Sequence, residues 1–485
     1  MIASMQADEA TIESVIREVI AQLRSPGDSN AARTDQRSEV SLHGDRSVFR
    51  SVDDAVAAAN QAYAQLKQKS LADRGRAIAQ IRRIVIEQAE ELGRAELEET
   101  KIGRLEHKID KLKIIGQRIP GIEFLRSEAA SGDHGLTVTE FGPFGVIGVV
   151  TPVTHSLPTL AANAINMIAA GNTLVVNPHP SGARIACEGA RRFNDAIRRE
   201  IGIENLICVI DQPTLESAQA LFDHNGTRLL CVTGGPGVAR AALGSRKRAI
   251  VAGPGNPPVV VDETADMENA AKSIIAGAAY DNNLLCIGEK QVFAVGTAFD
   301  SLSQALEHHG AARLDRGQIE LLTKTAFLPI EGQAGQLAVN KKLLGQDAQV
   351  LAAEIGMRLS SQTVLLYGET DAAHPFVQFE QMMPFVPVVR SGSVDDAIEL
   401  AKESEHGYRH TSVIHSRDVR AMTAMGRALE TTIFVKNGPS YAGLGIGGEG
   451  FCSFSIAGPT GEGPTSPLTF TRHRRCSMVD ALRII

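Results

Sequence analysis

The chain contains no tryptophan, and aromatic residues make up 4% of its 485 positions. That removes the usual platform on which proteins stack exposed bases. An excess of positive charge is missing too: 49 Lys and Arg against 56 Asp and Glu leave a formal charge of -7, so no basic field gathers a polyanion. Cysteine is sparse and scattered. Its six positions, 187, 208, 231, 286, 452 and 476, form neither CxxC pairs nor a regular framework. Disulfide stapling and finger-type zinc are therefore not expected, no metal site follows, and a reducing, cytoplasmic setting fits. Long apolar runs are also absent. The richest stretches, around 145 to 177, are interrupted by Pro, Asn, His and Thr, and charge breaks the apolar positions near the start. No spanning helix or secretory leader is read from them, and neither nucleic acid nor membrane is an expected partner.

What is present is the length and composition of a globular protein of two or three domains: 43% hydrophobic residues, 45 glycines and 20 prolines. The start is different in kind. ATIESVIREVIAQL, from Ala10, repeats apolar residues at three and four, giving a short amphipathic helix within residues 1–23. RSPGDSN and the polar residues after it, to residue 44, read as a linker. So short a helix needs a partner for its apolar face. Its own domain or oligomer, or a groove on another protein, would serve; the mixed sign of its polar face disfavours a membrane.

Residues from Val52 to about Glu106 read as helix. From Val138 onward, short apolar strands alternate with amphipathic helices, with Ser181 suited to an N-cap. This α/β pattern predicts a parallel sheet covered on both faces, of the doubly wound kind that binds nucleotides. A second alternating set begins after Val261 and ends near TTIFVKN. The final LTFTRHRR reads as a strand that returns to the first domain or is exchanged with a neighbour.

Two stretches carry candidate chemistry. TGGPGVARAA, from Thr233, joins a predicted strand to a predicted helix. Gly234, Gly235 and Gly237 let backbone and helix N-H groups approach a pyrophosphate, although glycine serves many such turns for steric reasons alone. DNNLLCIGEKQ places Cys286 in a polar turn between the two sets, where a cleft between domains would lie. Position alone leaves it either a packing residue or a nucleophile. No GxSxG elbow supports a serine hydrolase.

FGPFGVIGVVTPVTHSLPT, AAGNTLVVNPHPSG, CVTGGPGVARAA, AGPGNPP, NNLLCIGEK and EQMMPFVPVV occur in this order. With these six motifs, residues 45 to 470 resemble the aldehyde dehydrogenase superfamily, and within it the CoA-acylating propionaldehyde and acetaldehyde dehydrogenases of bacterial microcompartments. The resemblance implies an aldehyde dehydrogenase fold. Residues 45–132 and 148–252 would form the NAD-binding domain, and 253–440 the α/β catalytic domain. Residues 133–147 and 460–485 would form a small oligomerisation element, with 441–459 a return loop. It implies oxidation of a short aldehyde, propionaldehyde above all, to acyl-CoA, with NAD and coenzyme A as partners in the reaction. The alternative is hydrolysis to the free acid; a non-catalytic scaffold would have no need of Cys286.

The same resemblance assigns roles. Cys286 takes the nucleophile's place, forming a thiohemiacetal and then a thioester, with its backbone N-H toward the oxyanion. Thr154 stands where hydrolytic relatives carry an oxyanion-binding asparagine, and His155 beside it is the alternative for that role. Val251 stands where they carry the glutamate that activates water. Valine accepts no proton, which favours a thiol as acyl acceptor. Thr233, Gly234, Gly235 and Gly237 match the pyrophosphate turn, Asn177 takes the place of a ribose-binding lysine with His179 nearby, and Glu380 matches a nicotinamide-ribose glutamate. Asn437 opens a loop expected to close on the aldehyde or cofactor. The N-terminal helix and linker resemble an encapsulation peptide for shell proteins, and the expected assembly is a homodimer or homotetramer inside a microcompartment.

Overall fold

β-Branched stretches such as VIGVVT and TLVVNP are stiff at χ1 and pack best on a pleated surface, and each becomes a strand with every residue buried. The computed structural model describes residues 47–330 and 336–485. The amphipathic segment 1–23 and the linker 24–44 lie outside the described residues.

A first sheet is parallel throughout, in the order Val48–Phe49, Ile207–Ile210, Thr173–Pro178, Val146–Thr151, Thr227–Thr233, Ala249–Ala252. The chain lays down Val146–Thr151, moves outward through Thr173–Pro178 and Ile207–Ile210, then crosses to the other side at Thr227–Thr233. The winding reverses between Val146–Thr151 and Thr227–Thr233, and a crevice opens at their carboxyl ends. A second, seven-stranded parallel sheet runs Ala312–Arg313, Leu366–Thr370, Phe385–Ser391, Gln291–Val295, Pro258–Val261, Thr411–His415, Ile433–Lys436. One apolar core joins the two sheets, with Ile147 and Val176 from the first and Val259 and Val292 from the second. The boundary expected at 252/253 is thus a change of sheet without a break in packing.

A small antiparallel sheet pairs Gly135–Pro143 with Glu128–Gly132 on one side and with Thr471–Val479 on the other. The element expected at 133–147 is therefore shifted. It begins at Glu128, and Val146 and Ile147 already belong to the first sheet. The last strand pairs within its own chain.

Ser181 does not cap a helix. It sits in the turn Pro180–Gly182, and the helix Ala183–Ile201 starts at Gly182 without a side-chain cap. Glu99, from the helix Ala89–Thr100, accepts the N-H groups of Arg184 and Ile185 instead, at 2.9 and 2.7 Å. A carboxylate at a helix start satisfies both the orphan donors and the dipole. The helical region also runs further than expected, through Leu105–Arg118.

Candidate active site

Three consecutive residues just before the turn that carries Cys286 have left-handed backbone: Asp281 (φ 49°), Asn282 (φ 55°) and Asn283 (φ 66°). Asp and Asn are the side chains that tolerate this conformation best, yet a run of three is strained and persists only when its surroundings hold it. Each one is held. The Asp281 carboxylate accepts from Lys111 at 2.5 Å and from the Arg104 N-H at 2.8 Å. Asn282 donates to the Gly345 carbonyl and to Asp347, both at 2.9 Å. Asn283 donates to the carbonyls of Ala278 and Glu289, both at 2.9 Å.

Lys290 completes the clamp. Its buried ammonium donates to Asn283 O at 2.7 Å, Asn283 Oδ1 at 2.6 Å and Leu285 O at 3.2 Å. Glu289 beside it receives the Ser440 N-H and hydroxyl, both at 2.8 Å, which ties the turn to the loop after residue 440. A side chain at position 255 would meet the Cys286 carbonyl at 2.5 Å, so glycine is required where the GPGNPP loop passes under the nucleophile.

Cys286 opens onto two spaces. One is a cavity of about 710 Å³ along the carboxyl ends of the first sheet, at its winding reversal. The other is a chamber of about 30 Å³ walled mainly by Ile114, Leu285, Ile287, Leu444, Ile446 and Phe454. Four residues line both: His155, Cys286, Phe454 and Ile456. A carbonyl carbon attacked by the thiol would lie at this neck.

Thr154, Asn177, His179, Thr233, Gly234, Gly235 and Glu380 all line the large cavity with Cys286. Gly235 is the N-cap of the helix Pro236–Leu243, and the space above its Cα is open. Helix N-H groups behind an open glycine, with Val150, Leu215, Ala218 and Val238 as an apolar wall and Glu380 toward the thiol, suit a dinucleotide with its phosphates at the helix start. Asn177 is already committed, since its side-chain oxygen accepts from Ser217 at 2.5 Å.

Three of the residues singled out from sequence do not line the large cavity. Gly237 is exposed on the helix and does not line the cavity. Val251 is buried in an apolar cluster with Val150, Val232 and Phe222 and does not itself line the cavity, whereas its neighbour Ala252 does. Asn437 is exposed and lines neither space. Its φ is 57°, and its side chain receives the Ser416 N-H and donates to the Ser416 carbonyl, both at 2.9 Å, closing a turn. The same loop does reach the chamber, through Tyr441, Leu444 and Ile446.

The sequence reading passed over Lys341, which lines the large cavity and whose charge helps hold the His179 imidazolium below its ordinary pKa after burial, the larger cause. It also passed over Lys108 and Lys111, both fully buried. A helical period with charged residues signals a wet face, and only distant partners reveal a dry one. His410 lies under the Gly255 loop with its Nδ1 against the Thr411 hydroxyl at 2.9 Å, and burial lowers its pKa to about 4.

Burial pushes the Cys286 thiol up to about 12, Glu380 adds to the rise, and Lys290 opposes it. The resting group is a thiol. Burial likewise raises the Glu380 carboxyl. Among the residues lining the two spaces, Glu380 is the sole carboxylate.

The profile of the Aldehyde dehydrogenase family matches residues 35–450. An "Acetaldehyde dehydrogenase (acetylating) EutE" of Escherichia coli K12 is 43% identical over 479 residues, covering 99% of this chain and all of the relative. A "Propanal dehydrogenase (CoA-propanoylating)" of Salmonella typhimurium is 38% identical over 98% of this chain and 99% of its own. Among solved structures, a Rhodopseudomonas palustris propionaldehyde dehydrogenase with bound propionyl-CoA superposes with a TM-score of 0.88 at 44% identity, over 91% of this chain and 97% of its own. The propionaldehyde dehydrogenase of the Clostridium phytofermentans fucose utilisation microcompartment gives 0.88 at 42%, over 91% of this chain and all of its own. The length of these matches leaves no segment of the two sheets unaccounted for, and the chain belongs to the aldehyde dehydrogenase family.

Proposed function

We propose that this enzyme oxidises a short aldehyde to its acyl-CoA with NAD, by way of a thioester on Cys286. The observation that carries the reading is Cys286 at the neck between a dinucleotide-sized cavity and a small apolar chamber. The relatives' names support it, as does a second Rhodopseudomonas palustris structure described with bound CoA and an acylated cysteine.

Cys286 adds through sulfur to the aldehyde carbon, and the backbone N-H groups of the turn receive the oxygen. The bound nicotinamide supplies the hydride acceptor. Thr233, Gly234 and Gly235 would hold the pyrophosphate, Asn177 and His179 would border a ribose, and Glu380 would anchor the nicotinamide ribose. NAD in preference to NADP is the family expectation. With no carboxylate on the strand at Val251, water at the thioester has no base on that side, whereas a thiol attacks thioesters readily. The chamber has room for about one or two carbon-sized groups beyond the carbonyl, which suits ethanal and propanal.

Purified enzyme with propanal and NAD is expected to form about one equivalent of NADH per Cys286 without CoA, and to turn over continuously, releasing propionyl-CoA, once CoA is added. Across aldehydes of two to five carbons, kcat/KM should fall at the longer chains. Equal turnover without CoA, releasing carboxylate, would make Glu380 a hydrolytic base and the product a free acid.

The N-terminal amphipathic segment and linker support docking on microcompartment shell proteins, and a Clostridium phytofermentans relative is described from such a compartment. No described helix is long and apolar enough to cross a membrane. The exposed outer edge of Thr471–Val479 suits a second copy of the chain, as a dimer or dimer of dimers. Deleting residues 1–23 should leave activity intact and abolish co-sedimentation with shells. Undiminished co-sedimentation would remove the targeting role, and a monomer in the same runs would remove the oligomer.

A further inference from the structure

Four residues border both spaces at the reacting centre, and apart from the thiol only His155 among them has a hydrogen-bonding side chain. Its surroundings fix its chemistry. His155 Nδ1 lies 3.0 Å from the Lys111 ammonium, and that ammonium lies 2.5 Å from the Asp281 carboxylate. Lys108, one helical turn away, lies 3.6 Å from Asp281 and donates to the Thr154 carbonyl at 3.0 Å. All four of these side chains are buried. An ammonium can only donate, so Nδ1 must be the bare nitrogen, and a neutral ring then carries its proton on Nε2.

We propose that the Lys111–Asp281 pair fixes the tautomer of His155 so that its Nε2-H donates to the carbonyl oxygen of the aldehyde at Cys286. The inference rests on the aldehyde-oxidising reading above and decides between Thr154 and His155, the two residues the sequence offered for the oxyanion role, by what fixes the ring proton. Burial, and then the charges of Lys111 and Lys108, hold the His155 pKa well below its ordinary value against the opposing effects of Asp281 and of the Leu284 carbonyl that the ring also meets, so the ring stays neutral. A neutral imidazole keeps its proton as the oxygen gains charge: the Cys286 thiol gives its proton to water in the open cavity, the thiolate sulfur bonds to carbon, the carbonyl pair moves to oxygen, and Nε2-H stays whole. Asp281 is at once the first left-handed residue of the nucleophile turn and the partner of Lys111, so donor and thiol are set from one point.

The experiment uses the full chain with NAD and propanal and no CoA, following single-turnover NADH formation beside iodoacetamide alkylation of Cys286. His155→Leu should slow NADH formation by about 10²–10³-fold, the usual cost of one oxyanion donor, with alkylation unchanged. His155→Gln keeps an N-H donor and should recover much of the loss. Lys111→Met should slow the wild type as His155→Leu does, yet add little in the His155→Gln background, because an amide has no tautomer to set. NADH formation in His155→Leu as fast as wild type overturns the proposal. So does a parallel loss of NADH formation and alkylation in both His155 variants, which would make the ring a brace for the turn. Absence of a wild-type burst would instead bring down the aldehyde-oxidising reading itself.

Discussion

Cys286→Ala should lower NADH formation from propanal by at least about 10⁴-fold while leaving NAD binding unchanged, since removing a nucleophile abolishes the covalent route but not the cavity. The other cysteines cannot replace it. Cys187, Cys208, Cys231 and Cys452 are buried in the cores, where burial raises each thiol well above its ordinary pKa. Cys476 is exposed on the last strand and lines neither space. Cys286 alone is half-buried at the neck. Alkylation of the wild type should therefore label Cys286 and Cys476, with activity falling in step with Cys286 only. The alkylation rate should climb with pH beyond that of a free thiol, because burial keeps the resting group protonated up to about 12. Retained turnover in Cys286→Ala, or inactivation that tracks Cys476, would remove Cys286 from the chemistry.

The parallel sheets were legible because their strands are buried on both faces and read as unbroken apolar runs: VIGVVT and TLVVNP need no partner to declare themselves. The glycine turn at Thr233 was legible for the same local reason, since a strand, a glycine and a helix start are neighbours in sequence. Gly237 shows where that logic ends. One residue into a helix the backbone turns away from the cavity, and a motif cannot say on which residue this happens. Val251 illustrates the limit of alignment by spacing. The strand alternates faces with period two, so the position that matched the glutamate points into the sheet's own packing while Ala252 faces the cavity. Asn437 was placed at the site because NGPSYAG resembles a family loop that closes on the aldehyde or cofactor, and its side chain instead closes a turn 21 residues back, at Ser416.

The largest silence was Lys108 and Lys111. Three residues apart on a helix with charged neighbours, they look like a solvated stripe, and the carboxylate that accounts for them is Asp281, 170 residues beyond Lys111. Local period can show that two lysines share a face, but not that the nucleophile turn will pack against it. Chemistry-bearing residues were thus readable where their partners are near in sequence and invisible where the fold supplies the partner.

Asp281→Ala removes that partner and should be the most destabilising single change at the site. Two buried ammonium groups would face each other with no carboxylate at hydrogen-bond distance, at a cost of about 3–5 kcal/mol. Glu96 is buried nearby, but neither of its oxygens has a hydrogen-bond partner, and burial raises its pKa toward the neutral acid. The fold's escape is to deprotonate a lysine, and the pH dependence should reveal it. Burial already lowers Lys111 to about 8, even though Asp281 works to raise it, so losing Asp281 lowers it further. Between that folded value and the ordinary 10.5 of the unfolded chain, the unfolded state binds more protons, and stability must climb with pH. The urea midpoint of Asp281→Ala should lie well below wild type at pH 7 and close part of the gap by pH 9. Asp281→Asn, which keeps the side chain's size and its tolerance of left-handed backbone but not the charge, should follow the same pH course. A deficit that stays constant from pH 7 to 9 would mean that the loss lies in the strained backbone of the turn, with the buried lysines already neutral or hydrated in its absence.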